Sequence, residues 1–145
     1  MDTLTAMQIS GSALKAERAR LNIAAMNLAN ANTTRTMEGG PYKAKSVVFA
    51  AKPVEGVNFQ DALNSTTERL RKVEVVQVSE DKAPFKEVYD PSHPDADANG
   101  IVRFPNVNVA EQMVDMMSAK RSYEANVTAL DAVKNMALKA LEIGR

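Results

Sequence analysis

Both ends of this chain carry helical periodicity, and the middle carries none. Residues Asp2–Asn30 and Val109–Ile143 each read as one long amphipathic helix. The stretch between them is rich in β-branched residues and prolines. An apolar helical stripe has to be buried against a neighbouring element, so the two ends are expected to meet each other or to meet partners. The predicted class is α+β: two long terminal α-helices packed as a coiled-coil-like pair, with a small β-rich central module. The predicted division is 1–34 for the first helix, 35–107 for the module and 108–145 for the second helix, with the two helices forming one core.

In the first helix, Leu4, Met7, Gly11, Leu14, Arg18, Leu21, Ala25 and Leu28 follow alternating spacings of three and four, a heptad seam broken by one charge. About 26 residues at 1.5 Å each make a rod of roughly 39 Å. Burial of its large seam residues is worth about 1.5–3 kcal/mol each, which an isolated helix cannot collect. Ile9, Ala13, Ala16 and Ile23 form a second apolar strip, so this helix expects neighbours on more than one side. Gly11 adds room for a close backbone approach. Thr5 with Gln8 has the form of a capping box. Leu28-Ala29-Asn30-Ala31-Asn32-Thr33-Thr34 should end the helix, with Asn in a left-handed cap followed by a turn. Gly39-Gly40-Pro41 then forbids helix.

The last helix has a matching seam at Met113, Met116, Lys120, Tyr123, Val127, Leu130, Lys134, Ala137 and Leu141, widened by Val114, Met117, Val133 and Met136. Asn108 is placed as its N-cap, with Glu111 three residues on. A seam broken by Arg18, Lys120 and Lys134 suits a multi-helix lattice better than a strict two-stranded coil, because long stems reach past the seam to water.

Between the helices, Tyr42–Phe49, Arg71–Val78, Phe85–Tyr89 and Ile101–Phe104 read as strands. Val73 and Val75 should lie on one face, and Val76 and Val78 on the other. Phe59–Leu70 reads as a short helix or a loop. The most site-like stretch is Asp90-Pro91-Ser92-His93-Pro94-Asp95-Ala96-Asp97-Ala98-Asn99-Gly100, which holds the one histidine. Asp95, Asp97, Asn99 and Gly100 fit the first half of an EF-hand loop. The twelfth position, however, is Asn106 rather than Glu, and Pro91 and Pro94 forbid the entering helix. One histidine does not make a usual zinc site, and Ser92 beside His93 is no triad. A rigid proline- and Asx-built turn is the expected reading.

Composition excludes several classes. With 18 basic and 18 acidic residues the net charge is zero, and no basic stripe marks a nucleic-acid or membrane-surface footprint. Without cysteine there are no disulfides, no thiolate chemistry and no Cys-type zinc sites. No apolar run reaches the roughly 18 residues of a membrane span, so no direct membrane insertion is expected. No positively charged segment precedes an apolar run at the start, so no cleaved signal peptide is expected. No cofactor or metal is predicted.

The order of motifs along the chain resembles the flagellar axial proteins, the rod and hook subunits, and among them the proximal-rod type. The general resemblance rests on Asn27-Leu28-Ala29-Asn30-Ala31-Asn32-Thr33-Thr34. The closer one rests on Gly40-Pro41-Tyr42-Lys43, the Asp90–Asp97 run with Gly100, Pro105-Asn106-Val107-Asn108, and Arg121–Asn126. Ile101 and Lys43 depart from the pattern, where an aromatic and an Arg are usual, and residues 52–70 match nothing in it. The resemblance implies a structural, non-enzymatic subunit in the basal-body rod, which crosses the periplasm and transmits torque to hook and filament. It implies export through the flagellar type III apparatus without leader cleavage. The implied partners are copies of itself, other rod proteins and the rod–membrane-ring adaptor. The helix ends are then expected to be loose before assembly and to fold on docking. The competing readings are another rod or hook subunit, a soluble coiled-coil adaptor, and a metal-dependent enzyme around Asp90–Asn99.

Overall fold

A computed structural model describes residues 3–54 and 70–143 of the chain. The elements are α1 (Thr3–Ala29), β1 (Lys45–Pro53), β2 (Arg71–Glu80), β3 (Lys86–Tyr89), β4 (Ile101–Phe104) and α2 (Val109–Ile143). The fold is α+β, with two long terminal helices packed along each other. Arg20 of α1 meets Asp115 of α2, and Asn27 meets Gln112, so the helices run antiparallel.

The chain's own packing is done by small residues. α1 buries Ala16, Ala24 and Asn27, and α2 buries Ala119. This stripe lies beside the predicted seam rather than on it. Alanines let two helix axes approach closely, which leaves the larger seam residues on the flanks.

α1 begins at or before Thr3, so Thr5 lies inside the helix and the Thr5–Gln8 box is not its cap. The helix reaches back to include Leu4, where the apolar spacing starts. At the other end Asn30 does not take a left-handed cap: among the described residues, only glycines have positive φ. Asn30 Nδ2 instead donates to the Met26 carbonyl (2.9 Å), and Thr33 Oγ1 donates to Asn30 Oδ1 (3.2 Å). The helix is therefore closed by side-chain bonds, without backbone inversion. A turn follows, in which Gly39 (φ 86°) and Gly40 (φ 78°) adopt the conformation that only glycine takes freely. Thr36 N–H donates to the Gly40 carbonyl (2.9 Å) and Tyr42 N–H to that of Thr33 (3.1 Å). Those bonds hold Tyr42 outside any strand, so β1 starts at Lys45 and not at Tyr42.

β1 and β2 form an antiparallel hairpin pairing Lys45 with Glu80 and Pro53 with Arg71. β1 is longer than expected because β2 offers partners as far as Arg71. Pro53, lacking an N–H, is tolerated at the strand's end. The register shifts after Val48, where Val48 faces Gln77 and Phe49 faces Val75, which leaves Val76 as the bulged residue. Val73 and Val75 are half-buried and Val76 and Val78 exposed, as the alternation predicts.

The hairpin lies along α1. Ser12 Oγ donates to the Ile9 carbonyl (2.7 Å) and accepts from Val73 N–H (3.1 Å). Asn27, about 22 Å further along the helix, holds Lys45. From Lys45 to Ala51, the partner of Val73, is about 20 Å of strand. The two rises agree, so the strand can be pinned at both ends.

β3 and β4 form a separate two-stranded sheet, pairing Lys86 with Phe104 and Tyr89 with Ile101. The middle is thus two hairpins rather than one sheet. Asn108 caps α2 as predicted: its Oδ1 accepts from Ala110 N–H (3.1 Å) and Glu111 N–H (3.5 Å). Residues 59–69 of the Phe59–Leu70 segment lie outside the described residues.

Candidate assembly site

The polar centre of the molecule is Asn27, which is only 2% exposed. Its Nδ2 donates to the Lys45 carbonyl (2.7 Å) and to Gln112 Oε1 (2.9 Å). Its Oδ1 accepts from Lys45 N–H and from Tyr42 O–H, each at 2.9 Å. One primary amide can make about four such bonds, and here all four are made. Toward Lys45 the amide acts as a neighbouring strand would, giving and taking one bond at the edge of β1. Toward Tyr42 and Gln112 it fastens the loop after α1 and the first turns of α2. Burial of the Tyr42 phenol, with a smaller contribution from Glu80, raises its pKa above the ordinary tyrosine value.

Two turns up α1, Arg20 makes a forked pair with Asp115. Nε donates to Oδ2 at 3.2 Å, and a second guanidinium nitrogen donates to Oδ1. Glu17 approaches the same guanidinium at 3.9 Å. The hydrogen bond to Asp115 raises the Arg20 pKa, keeping its charge fixed across any working pH. A planar fork meeting a carboxylate fixes rotation as well as distance. Arg20 and Asn27 together set the register of the helix pair. Neither stands on the predicted seam. The one sequence signal for Asn27 is a poor helix former retained inside a long helix beside the turn motif; Arg20 carries none.

The Asp90–Gly100 segment is a built turn, as its prolines and Asx residues predict. Asp90 Oδ1 accepts from Ser92 N–H (3.1 Å), His93 Nδ1 accepts from Asp95 N–H (3.1 Å), and Asp97 Oδ1 accepts from Ala98 N–H (2.7 Å). Asp90 N–H donates to the Gly100 carbonyl (2.9 Å), closing the loop across the ends of β3 and β4. His93 packs edge-on against Phe104, with ring centroids 6.0 Å apart. Thr34 Oγ1 donates to Asp95 Oδ2 (2.7 Å), tying this loop to the turn after α1. Gly100 sits at φ 74°, and a Cβ there would come within 3.0 Å of Tyr89 and 3.2 Å of Pro91. Pro91 and Pro94 are exposed, while Pro105 is buried just after β4 beside fully buried Val102. Among the described residues, no group of three His, Asp or Glu is placed to hold a metal ion.

The predicted seam residues divide by position. Met7, Gly11, Leu14, Leu21 and Leu28 of α1 are half-exposed, as are Met116, Tyr123, Val127, Leu130 and Ala137 of α2. Leu4 (66%), Leu141 (72%), Met113 and Ala25 are exposed. Val114, Met117, Met136 and Leu138 are exposed beside them on α2. Gly11 is not needed for packing inside the chain, since an added Cβ would meet nothing within 4 Å. Of the turn residues, Asn30, Thr33, Pro41 and Tyr42 lie at the hub end of α1 with exposed Asn32, while Asn106 and Asn108 lead into α2. Among the described residues no helix is long and apolar enough to cross a membrane.

Known sequences bear on the same elements. The family described as "Flagella basal body rod protein" matches residues 7–35, which is α1 with its closing turn. The family described as "Flagellar basal body rod FlgEFG protein C-terminal" matches residues 98–143, which is β4 and α2 with their lead-in. An antiparallel helix pair whose two halves carry these signals defines the class, a flagellar rod-type chain. The flagellar basal-body rod protein FlgC of Salmonella typhimurium is 46% identical over 145 residues, covering 100% of both chains. Its namesake in Bacillus subtilis is 43% identical over 153 aligned positions, again covering 100% of both. That of Borreliella burgdorferi is 38% identical over 151, covering 99% of this chain and 98% of its own. The chain belongs to the FlgC family of flagellar basal-body rod proteins.

Proposed function

We propose that this chain is a non-enzymatic subunit of the bacterial flagellar rod. It polymerises helically through its terminal helices and carries torque from the membrane ring to hook and filament. The observation that carries this reading is the open apolar surface of α2, where Met113, Val114, Met117, Met136 and Leu141 are all exposed. A compact monomer of 15.7 kDa exposes about 7,300 Å², whereas this chain exposes 10700 Å². Its deepest helix contacts are alanines. Such a molecule keeps its large apolar side chains for neighbours.

The neighbours are copies of itself, other rod proteins and the adaptor that joins rod to membrane ring. Residues 1–34 and 108–145 form the inner core and 35–107 the outer module. The chain leaves the cell through the flagellar type III apparatus without leader cleavage and stands in the rod across the periplasm. Because the lone helix pair buries little, its ends tighten fully only on docking.

The test is charge substitution at the half-exposed seam. Leu21→Glu or Leu130→Glu should leave the chain detectable in the export pathway while basal bodies lack rods and cells do not swim. Normal swimming by both variants would sink the proposal.

A further inference from the structure

We infer that the C-terminal turns of α2 from one copy dock into the cleft beside the Asn27 hub of a second copy. This inference rests on the rod-subunit reading and names the partner at one specific surface. Thr3 of α1 lies 17 residues before Arg20, so with ideal geometry it stands opposite about residue 132 of α2. The remaining turns of α2, about 16 Å, project past the described start of α1. They carry Met136, Leu138, Leu141 and Ile143, all exposed, the last at 86%.

The opposite end of the pair is flush and holds a cleft of about 680 Å³ between α1, β1 and α2. Ile23, Val47, Phe49 and Val114 line it with apolar surface, and Arg20, Glu111 and Asp115 lie among its polar lining. Phe49 and Val114 are exposed there.

A projecting apolar tip at one end and an apolar cleft at the other are different surfaces on one rod-shaped molecule. Pairing them is a heterologous contact, which propagates into an open filament rather than closing a dimer. The charges agree with this direction. The tip is the C-terminal, partly negative end of α2, and the cleft adjoins the N-terminal, partly positive end of the next α2. Lys134 and Lys139 flank the tip, and Glu111 and Asp115 stand at the cleft. The contact is far smaller than the roughly 1,200–2,000 Å² of a stable complex. It should therefore be populated only at high concentration or with lateral neighbours in place.

The chain has no cysteine, so introduced ones report without background. Ser118, which lines the cleft, and Leu141 lie about 35 Å apart on the same helix. A disulfide between these positions can form only between copies. Mild oxidation of concentrated Ser118→Cys/Leu141→Cys chain should give a ladder of dimers, trimers and longer chains. A mixture of the two single variants should give a mixed dimer, and adding Val114→Glu should reduce ladder and mixed dimer at least fivefold. Absence of the mixed dimer from chains with unchanged helical circular dichroism overturns the inference. So does a product whose mass is not a multiple of the chain. Complementation with the reduced double variant separates the two levels. Swimming cells without a ladder leave the rod subunit standing and remove tip-to-cleft docking, whereas failure of both removes the two together.

Discussion

At the residue scale, one amide does what a small apolar core usually does. Asn27 satisfies the edge of β1, the Tyr42 hydroxyl and Gln112 together. Replacing it by alanine strands several groups at once, and each buried unpaired group costs about 1–3 kcal/mol. Asn27→Ala should therefore cost about 3 kcal/mol in urea unfolding. Gln112→Ala should cost about 1 kcal/mol, because Gln112 is half-exposed and water can replace it. Tyr42 adds a pH signature. Its folded pKa is raised, so its stabilising contribution is complete below the unfolded tyrosine value, about 10. That contribution is lost as pH rises through the higher folded value. Unfolding measured across this alkaline range should show a stability loss that Tyr42→Phe reduces.

At the scale of elements, two glycines make opposite predictions. Gly100 is needed for its positive φ and for the space beside Tyr89 and Pro91. Gly100→Ala should lower the melting stability by about 1–2 kcal/mol. Gly11 stands mid-helix with open space around it. Gly11→Ala should raise the stability of the lone chain by about 0.5–1 kcal/mol. If a neighbour's backbone packs there, the same change should impair rod formation, which basal-body yield would report. The elements themselves were largely legible in the sequence. Heptad spacing located both helices, Asn108 marked the start of α2, and the prolines and Asx residues of Asp90–Gly100 marked a turn. What was hidden depends on long-range pairing. β1 extends to Pro53 only because β2 reaches Arg71, and Tyr42 leaves the strand because Asn27 and Thr33 hold it. The Ala16–Ala24–Asn27 stripe was masked by the larger residues of the seam beside it, because hydrophobic spacing reports where apolar surface lies and not which neighbour covers it. The Arg20–Asp115 fork joins residues far apart in sequence, so no local pattern announces it.

At the scale of the whole molecule, the chain resembles a framework more than a finished globule. Its fully buried side chains include Val102 and Asn27, while exposed methionines, leucines and valines run along α2. A rod under torque is served by many shared contacts, and a subunit whose apolar faces are left open supplies them. The same openness predicts that labelling chemistry will see two different molecules before and after assembly. Met117→Cys and Leu141→Cys place single thiols in this cysteine-free chain on two exposed parts of α2. The most direct measurement is the rate of maleimide labelling of each variant as purified chain and in intact basal bodies. The account predicts labelling as fast as in the unfolded chain for the purified protein, and protection of at least tenfold in basal bodies. Equal labelling in both would mean that the apolar face of α2 is not covered by neighbours, and would contradict the account.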